Sequence, residues 1–280
     1  MTGRRAPVWL EAQSPLAEWY GSPLGQSILD ELEALLESRL RGVFGYQGLQ
    51  VGNLAPERDL LAGAGLHRRL RVDAPGRPHP STDLNADVSA LPVAAGTMKA
   101  VLFFHTLDFC EHPHQALREA DRVLTDDGQL LIVGFSPFGL FGLRRAASLG
   151  RRRREPWSGR FWSRRRVSEW LSVLDYRVLA AEPLFVRPPV NAERVLARLA
   201  GLERLRPWAG AASGLWVVRA KKQTVPMTLI RNHHWLRAGA AVGARGLASA
   251  GVARTPAPER VPVRARVGEV DAVRAGTRRR

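Results

Sequence analysis

Met98-Lys-Ala-Val-Leu-Phe-Phe104, then Pro113-His-Gln-Ala-Leu117-Arg-Glu-Ala120-Asp-Arg-Val123-Leu124, then Asp126-Asp-Gly128 and Leu130-Leu-Ile-Val133: this run decides the fold. The first stretch is apolar throughout except for Lys99, the pattern of a strand covered on both faces. Pro113 suits a first helical position, and Leu117, Ala120, Val123 and Leu124 then recur on one helical face. Asp126-Asp127-Gly128 reads as a turn, and 130–133 as a second buried strand. Strand, helix, glycine turn and strand make one βαβ unit, whose crossover is right-handed.

Upstream, Ser22-Pro23 caps a helix whose Leu24, Ile28, Leu32, Leu35, Leu36 and Leu40 share a face, with Gly42 and Gly45 closing it. A short strand, Leu49-Gln50-Val51, ends at Gly52. The pattern then predicts a helix from Pro56 carrying Leu60 and Leu61 inward, and a strand over 69–72 ended by Asp73 and the prolines Pro75, Pro78 and Pro80. That is a second βαβ unit. Downstream, Ser163 caps a helix with Val167, Trp170, Leu171 and Leu174. Strands follow at Tyr176–Glu182 and Leu215–Ala220, around a helix near Val195, Leu196 and Leu199. The units add up to an α/β, doubly wound, Rossmann-like parallel sheet with helices on both faces.

Composition narrows the function classes. The chain has 280 residues, 45% apolar and 24% charged, enough for one large domain or two small ones. Cys110 is its one cysteine, which excludes a disulfide scaffold. Arg4 and Arg5 precede no apolar stretch, so no secretory leader is expected. No stretch approaches the roughly 18 apolar residues of a membrane span, and a cytoplasmic location is expected.

The formal charge of +16 is uneven. Residues 144–166 hold ten arginines against Glu155, and 226–280 hold eleven against Glu259, Glu269 and Asp271. The remainder is nearly neutral. Arginine abundance can follow from a GC-rich coding sequence; its clustering is the better sign of an anionic partner such as nucleic acid. Trp157, Phe161 and Trp162 lie among the arginines of 144–166, a pattern that serves stacking on bases or a lid over a cleft, with the lid preferred. Residues 226–280 lack helical or alternating periodicity and read as a basic, disordered tail. The expected organisation is an extension over 1–20, a domain over 21–225 containing the 144–166 insertion, and the tail over 226–280.

Asp87-Val-Ser-Ala-Leu91-Pro92, Met98 to Phe109, Leu117 to Leu124 and Asp127 to Val133 together resemble the class I S-adenosylmethionine (SAM)-dependent methyltransferases, most closely the type 11 methyltransferase domain. Gly134-Phe-Ser-Pro-Phe138 to Leu143-Arg-Arg145 resembles a small bacterial subfamily of that domain. The likeness is dense over 85–145 and extends over 20–225. It implies SAM as cofactor, a sheet ending in an antiparallel strand, and methyl transfer to an acceptor that the sequence does not identify.

By that resemblance, Val51, Gly52, Asn53 and Leu54 form the loop that approaches the methionine part of SAM, ahead of a helix N-terminus. Asp73 would bond the ribose hydroxyls, and Asp87 the adenine amino group beside Val88. His105-Thr106-Leu107 would form the floor under the cofactor, facing the substrate. Gln50 stands where the family has an acid, and Leu54 and Pro56 replace two of its three glycines. His105 and Asp108 are the candidate bases, needed only if the acceptor carries a proton. Cys110, Glu111, His112 and His114 crowd together without zinc spacing, and His233-His234 is unspecific, so no metal is expected. Three readings stand side by side: a methyltransferase, a silent methyltransferase-like interaction module, and a nucleic-acid-associated protein using its arginine segments.

Overall fold

The computed structural model describes residues 8–75, 79–139, 141–143, 159–187, 198, 201 and 213–223. The arginines of 144–154, the expected helix near Val195, and the whole of 226–280 lie outside the described residues. The described residues fall within one compact unit, 1–226. No helix among them is long and apolar enough to cross a membrane.

Two helices precede the sheet. The first, α1 (Val8–Tyr20), occupies the stretch read as an extension and buries Leu16 and Tyr20 one turn apart. The second, α2 (Pro23–Leu40), begins as its sequence requires. The Ser22 side chain accepts the Gly25 N–H at 3.2 Å, and Pro23 has no N–H to leave unpaired. Its apolar stripe, Leu24, Ile28, Leu32, Leu36 and Leu40, is buried. A Cβ on Gly25 would stand 2.5 Å from the Tyr20 Cα, so the close α1–α2 corner that places Tyr20 depends on that glycine.

The strands are β1 (Phe44–Val51), β2 (Gly65–Asp73), β3 (Leu84–Asn85), β4 (Met98–Phe104), β5 (Leu124–Phe135), β6 (Tyr176–Leu184) and β7 (Leu215–Lys222). They form one sheet in the order β3-β2-β1-β4-β5-β7-β6, with β7 antiparallel to both its neighbours. Between β4 and β5 run a single turn, α3 (Thr106–Phe109), and α4 (Pro113–Val123); α5 (Arg164–Val173) packs against β6 and β7. The order reverses between β1 and β4, whose pairing puts Val51 beside Phe103. The crevice at such a reversal is where ligands bind in open α/β sheets.

Three sequence expectations need correction. Gly45 lies inside β1, not at a helix end; α2 stops at Leu40 and a turn at Arg41-Gly42 follows. Asp126-Asp127-Gly128 does not separate helix from strand. The strand already begins at Leu124, and 125–128 bulge out opposite Lys99, which pairs with Asp127. Most consequential, no helix opens at Pro56. Residues 55–64 form a chain of four-residue turns, with N–H groups of Arg58, Ala62 and Ala64 bonded to the carbonyls of Ala55, Asp59 and Leu61. The Asp59 carboxylate takes the Leu61 N–H at 3.1 Å, a side-chain bond that competes with helix. Leu54, Ala55, Leu60 and Leu61 still enter the core. Arg58 ties the turns to α2 through Gln26, Asp30 and Glu33.

Candidate active site

The carboxyl end of β1 passes directly into a turn at Gly52, whose φ of +99° is costly for any residue with a side chain. Its N–H donates to the Val72 carbonyl at 2.9 Å, and its own carbonyl accepts the Gln50 amide N–H at 3.1 Å. A carboxylate at position 50 could not donate that bond, so the glutamine closes the turn that an acid would open. Asn53 donates to the Ser81 and Thr82 hydroxyls, fastening the turn to the segment before β3. The Gln50 Oε1 and Asn53 Oδ1 atoms are buried with no hydrogen-bond partner among the described residues. Two orphaned acceptors beside a glycine turn suit a ligand that donates, such as an ammonium group. This acceptor set fits the amino-acid end of SAM.

The edge continues outward. Asp73 closes β2, 1% exposed, with Oδ1 accepting the Ala74 N–H. Its carbonyl accepts from Ala86, which carries the chain to Asp87 and Val88 beyond β3. Val88 is buried, whereas Asp87 is exposed and folds back on the Ser89 N–H at 2.8 Å. Thr106 donates to the Val51 carbonyl at 3.0 Å, joining the end of β4 to that of β1. Every residue assigned to the cofactor thus lies along one edge, and all but Asp87 are buried.

On the inner side of that edge, His105 adopts a left-handed backbone (φ 54°) and is fully buried. Its Nδ1 lies 2.9 Å from Asp108 Oδ2, which also accepts the Phe135 N–H at 3.0 Å. Its Nε2 lies 2.6 Å from the Tyr20 hydroxyl. A carboxylate can only accept, so Nδ1 carries the proton and Nε2 is left to accept from Tyr20. Burial, with the Asp108 charge second, pushes the Tyr20 pKa well above its ordinary value, which keeps this proton in place. The imidazole stacks on the Phe135 ring at 4.0 Å. No sequence motif marks Tyr20, which sits in the stretch 1–20 whose pattern reads as an extension. Its only sequence signal is an aromatic at the corner before a helix cap.

A methyltransferase domain family matches residues 64–132. The Escherichia coli (strain K12) protein YafS is 35% identical over 211 residues, which span 75% of this chain and 82% of its own. The chain belongs to the class I SAM-dependent methyltransferases. A SAM-dependent methyltransferase of Thermotoga maritima shares the fold at 15% identity and TM-score 0.53, over 76% of this chain and 95% of that one. The cyclase SpnF does so at 19% and 0.50, over 70% and 81%. Those two likenesses carry the fold alone.

Around this candidate site, the described part of the basic insertion packs inward. Gly159 approaches so closely that a Cβ there would stand 2.5 Å from the Asp108 carbonyl, which accepts the Arg160 N–H. Phe161 is buried with its ring 4.9 Å from that of Phe135, and Trp162 donates to the Leu107 carbonyl. Trp170, expected in the core, is half-buried against Trp162 and His114. The residues around Cys110 do not converge. His114 turns to Trp170, and burial, reinforced by Asp108, pushes the Cys110 thiol up to about 12. No group of three His, Cys, Asp or Glu side chains is placed to hold a metal among the described residues.

Proposed function

We propose that this methyltransferase-family chain binds SAM along the carboxyl edge of β1, β2 and β4 and transfers its methyl group to an acceptor by in-line displacement. The observation that carries this reading is the Gly52 turn at the strand-order reversal, flanked by the buried, unpartnered Gln50 and Asn53 oxygens. When bound, SAM supplies a methyl group already made electrophilic by its sulfonium. The protein is left to align the reactants and exclude water, which together can remove several kcal/mol of barrier.

Gly52 gives the ligand backbone room, and the two amide oxygens accept from its ammonium group. Asp73 takes the ribose hydroxyls, Asp87 and Val88 hold the adenine, and Thr106 with His105 forms the floor. Asp108 fixes the His105 tautomer and Nε2 accepts from Tyr20, so a proton from the acceptor would reach Nε2 by way of the Tyr20 hydroxyl, which would give up its own proton to the imidazole as it takes the new one. The inward packing of Phe161 and Trp162 supports the lid role for this part of the insertion over base stacking.

A second reading has its own observation. Leu54 is 1% exposed and the first crossover is built of turns, which favours a module that keeps the fold and has lost the cofactor. Calorimetry with SAM and its demethylated product separates the two. Micromolar binding of either, abolished by Asp73→Asn, supports the enzyme. No heat at several hundred micromolar overturns it.

A further inference from the structure

Beyond β5 lies a cavity of about 240 Å³ that none of the assigned residues lines. It is smaller than the roughly 300–1,000 Å³ of drug-sized sites, so it takes a small group. Trp216 lines it, with its N–H already committed to the Phe135 and Trp162 carbonyls. The buried Ser136 and Ser213 line it as well, together with the first residues of α5, Arg164 and Arg165. Ser163 caps that helix by accepting the Arg166 N–H.

The charge inside is one-sided. Arg164 and Arg165 are among its lining residues, and none of those residues is acidic among the described residues. Arg164 spends one N–H on the Ala181 carbonyl, and Arg165 pairs through Nε with Glu169. Each keeps further donors, since a guanidinium has five. The helix N-terminus adds partial positive charge. Phe138, 76% exposed, and Pro137 make the lining apolar beside this charged wall. The cavity is linked to the candidate site through the chain: Ser136 follows Phe135, whose ring stacks on His105 and whose N–H is held by Asp108.

We propose that this cavity binds a small organic oxyanion, a carboxylate or phosphate on a short apolar body, and that this is the anchoring end of the methyl acceptor. The identification with the acceptor rests on the methyl-transfer reading above; the anion site itself does not. The anion would pair with Arg164 and Arg165 at the N-terminus of α5, with its apolar part on Trp216.

The test is calorimetric titration of the full-length protein with phenyl phosphate, benzoate, inorganic phosphate and neutral benzamide. Phenyl phosphate or benzoate should bind more tightly than inorganic phosphate, and benzamide should not bind. A preference between the two aromatic anions tells which oxyanion the acceptor carries. Arg164→Gln with Arg165→Glu should weaken the anion by roughly tenfold or more. SAM affinity should stay within about twofold. Arg165 is 90% exposed at its side chain, so Arg165→Glu alone tests the idea in a protein that folds. Benzamide binding as well as benzoate, or variants that hold the anion like the parent, would overturn the site. Anion binding without any SAM binding would remove the methyl-transfer reading and leave the anion site standing.

Discussion

The two halves of the candidate site are built differently. The half at β4 and β5 is knit together internally: the His105 ring, the Asp108 Oδ2 atom, the Phe135 N–H and the Tyr20 hydroxyl are joined by hydrogen bonds of 2.6–3.0 Å. The half at β1 and β2 is open in its polar groups, with amide oxygens of Gln50 and Asn53 left over. It is also irregular in its backbone, with turns where a crossover helix was expected. A group whose bonds are all internal serves the protein's own geometry, whereas unmet acceptors are unexplained until something else meets them. Rigidity is concentrated where orientation matters, and unmet polar demand where a ligand has to enter.

The largest expected effect breaks the closed half. Asp108→Ala removes the acceptor for both the His105 ring and the Phe135 N–H, leaving buried donors without partners. A loss of roughly 3–5 kcal/mol in urea unfolding is expected. A loss under 1 kcal/mol would show that the two halves do not differ in this way. The open half yields less to a comparable insult. Gly52→Ala forces a side chain onto a φ of +99° and should cost about 1–3 kcal/mol. Its larger consequence should be in SAM binding, which calorimetry would report as at least tenfold weaker.

The same contrast explains how much was legible. The β4 strand was readable to its ends because burial on both faces forces an apolar run, and Pro113 and Ser22 mark helix starts through local chemistry. The turn chain after Gly52 was not. Leu60 and Leu61 are apolar in either conformation, and what decides between them is the Asp59 side chain taking the Leu61 N–H and the reach of Arg58 to α2. The second cause lies far away in sequence. Tyr20 was missed for the same reason, since nothing local ties it to His105 across 85 positions. The cofactor positions were legible only through family resemblance, and the matched family segment, 64–132, begins after the Gly52 turn. The least regular part of the site was therefore the least supported.

Tyr20→Phe sharpens the comparison from the closed side. It keeps the ring and removes one buried hydrogen bond, for about 1 kcal/mol at neutral pH. Because the folded-state Tyr20 pKa is raised, its hydroxyl contributes fully below the unfolded tyrosine value of roughly 10, and the contribution fades as pH rises past it. The parent should therefore lose more stability than the variant between about pH 9.5 and 11.5. Parallel curves would mean that the hydroxyl already ionises in the folded protein.

The smallest effect probes the open side without touching its ligand groups. Arg58 anchors the turn chain to α2 by bonds to Asp30 and Gln26 of 2.9 and 3.0 Å and by a third to Glu33, but Asp30 is 65% exposed. Exposed pairs contribute little, so Arg58→Ala should cost only about 0.5–1 kcal/mol globally. Its effect should instead be local. Amide exchange at Ala62 and Ala64, whose bonds close the turns, should accelerate, while exchange at Phe135 in the closed half should not change. If Phe135 accelerates in step, the two halves open together, and the crevice moves as one unit rather than as a fixed wall facing an adaptable one.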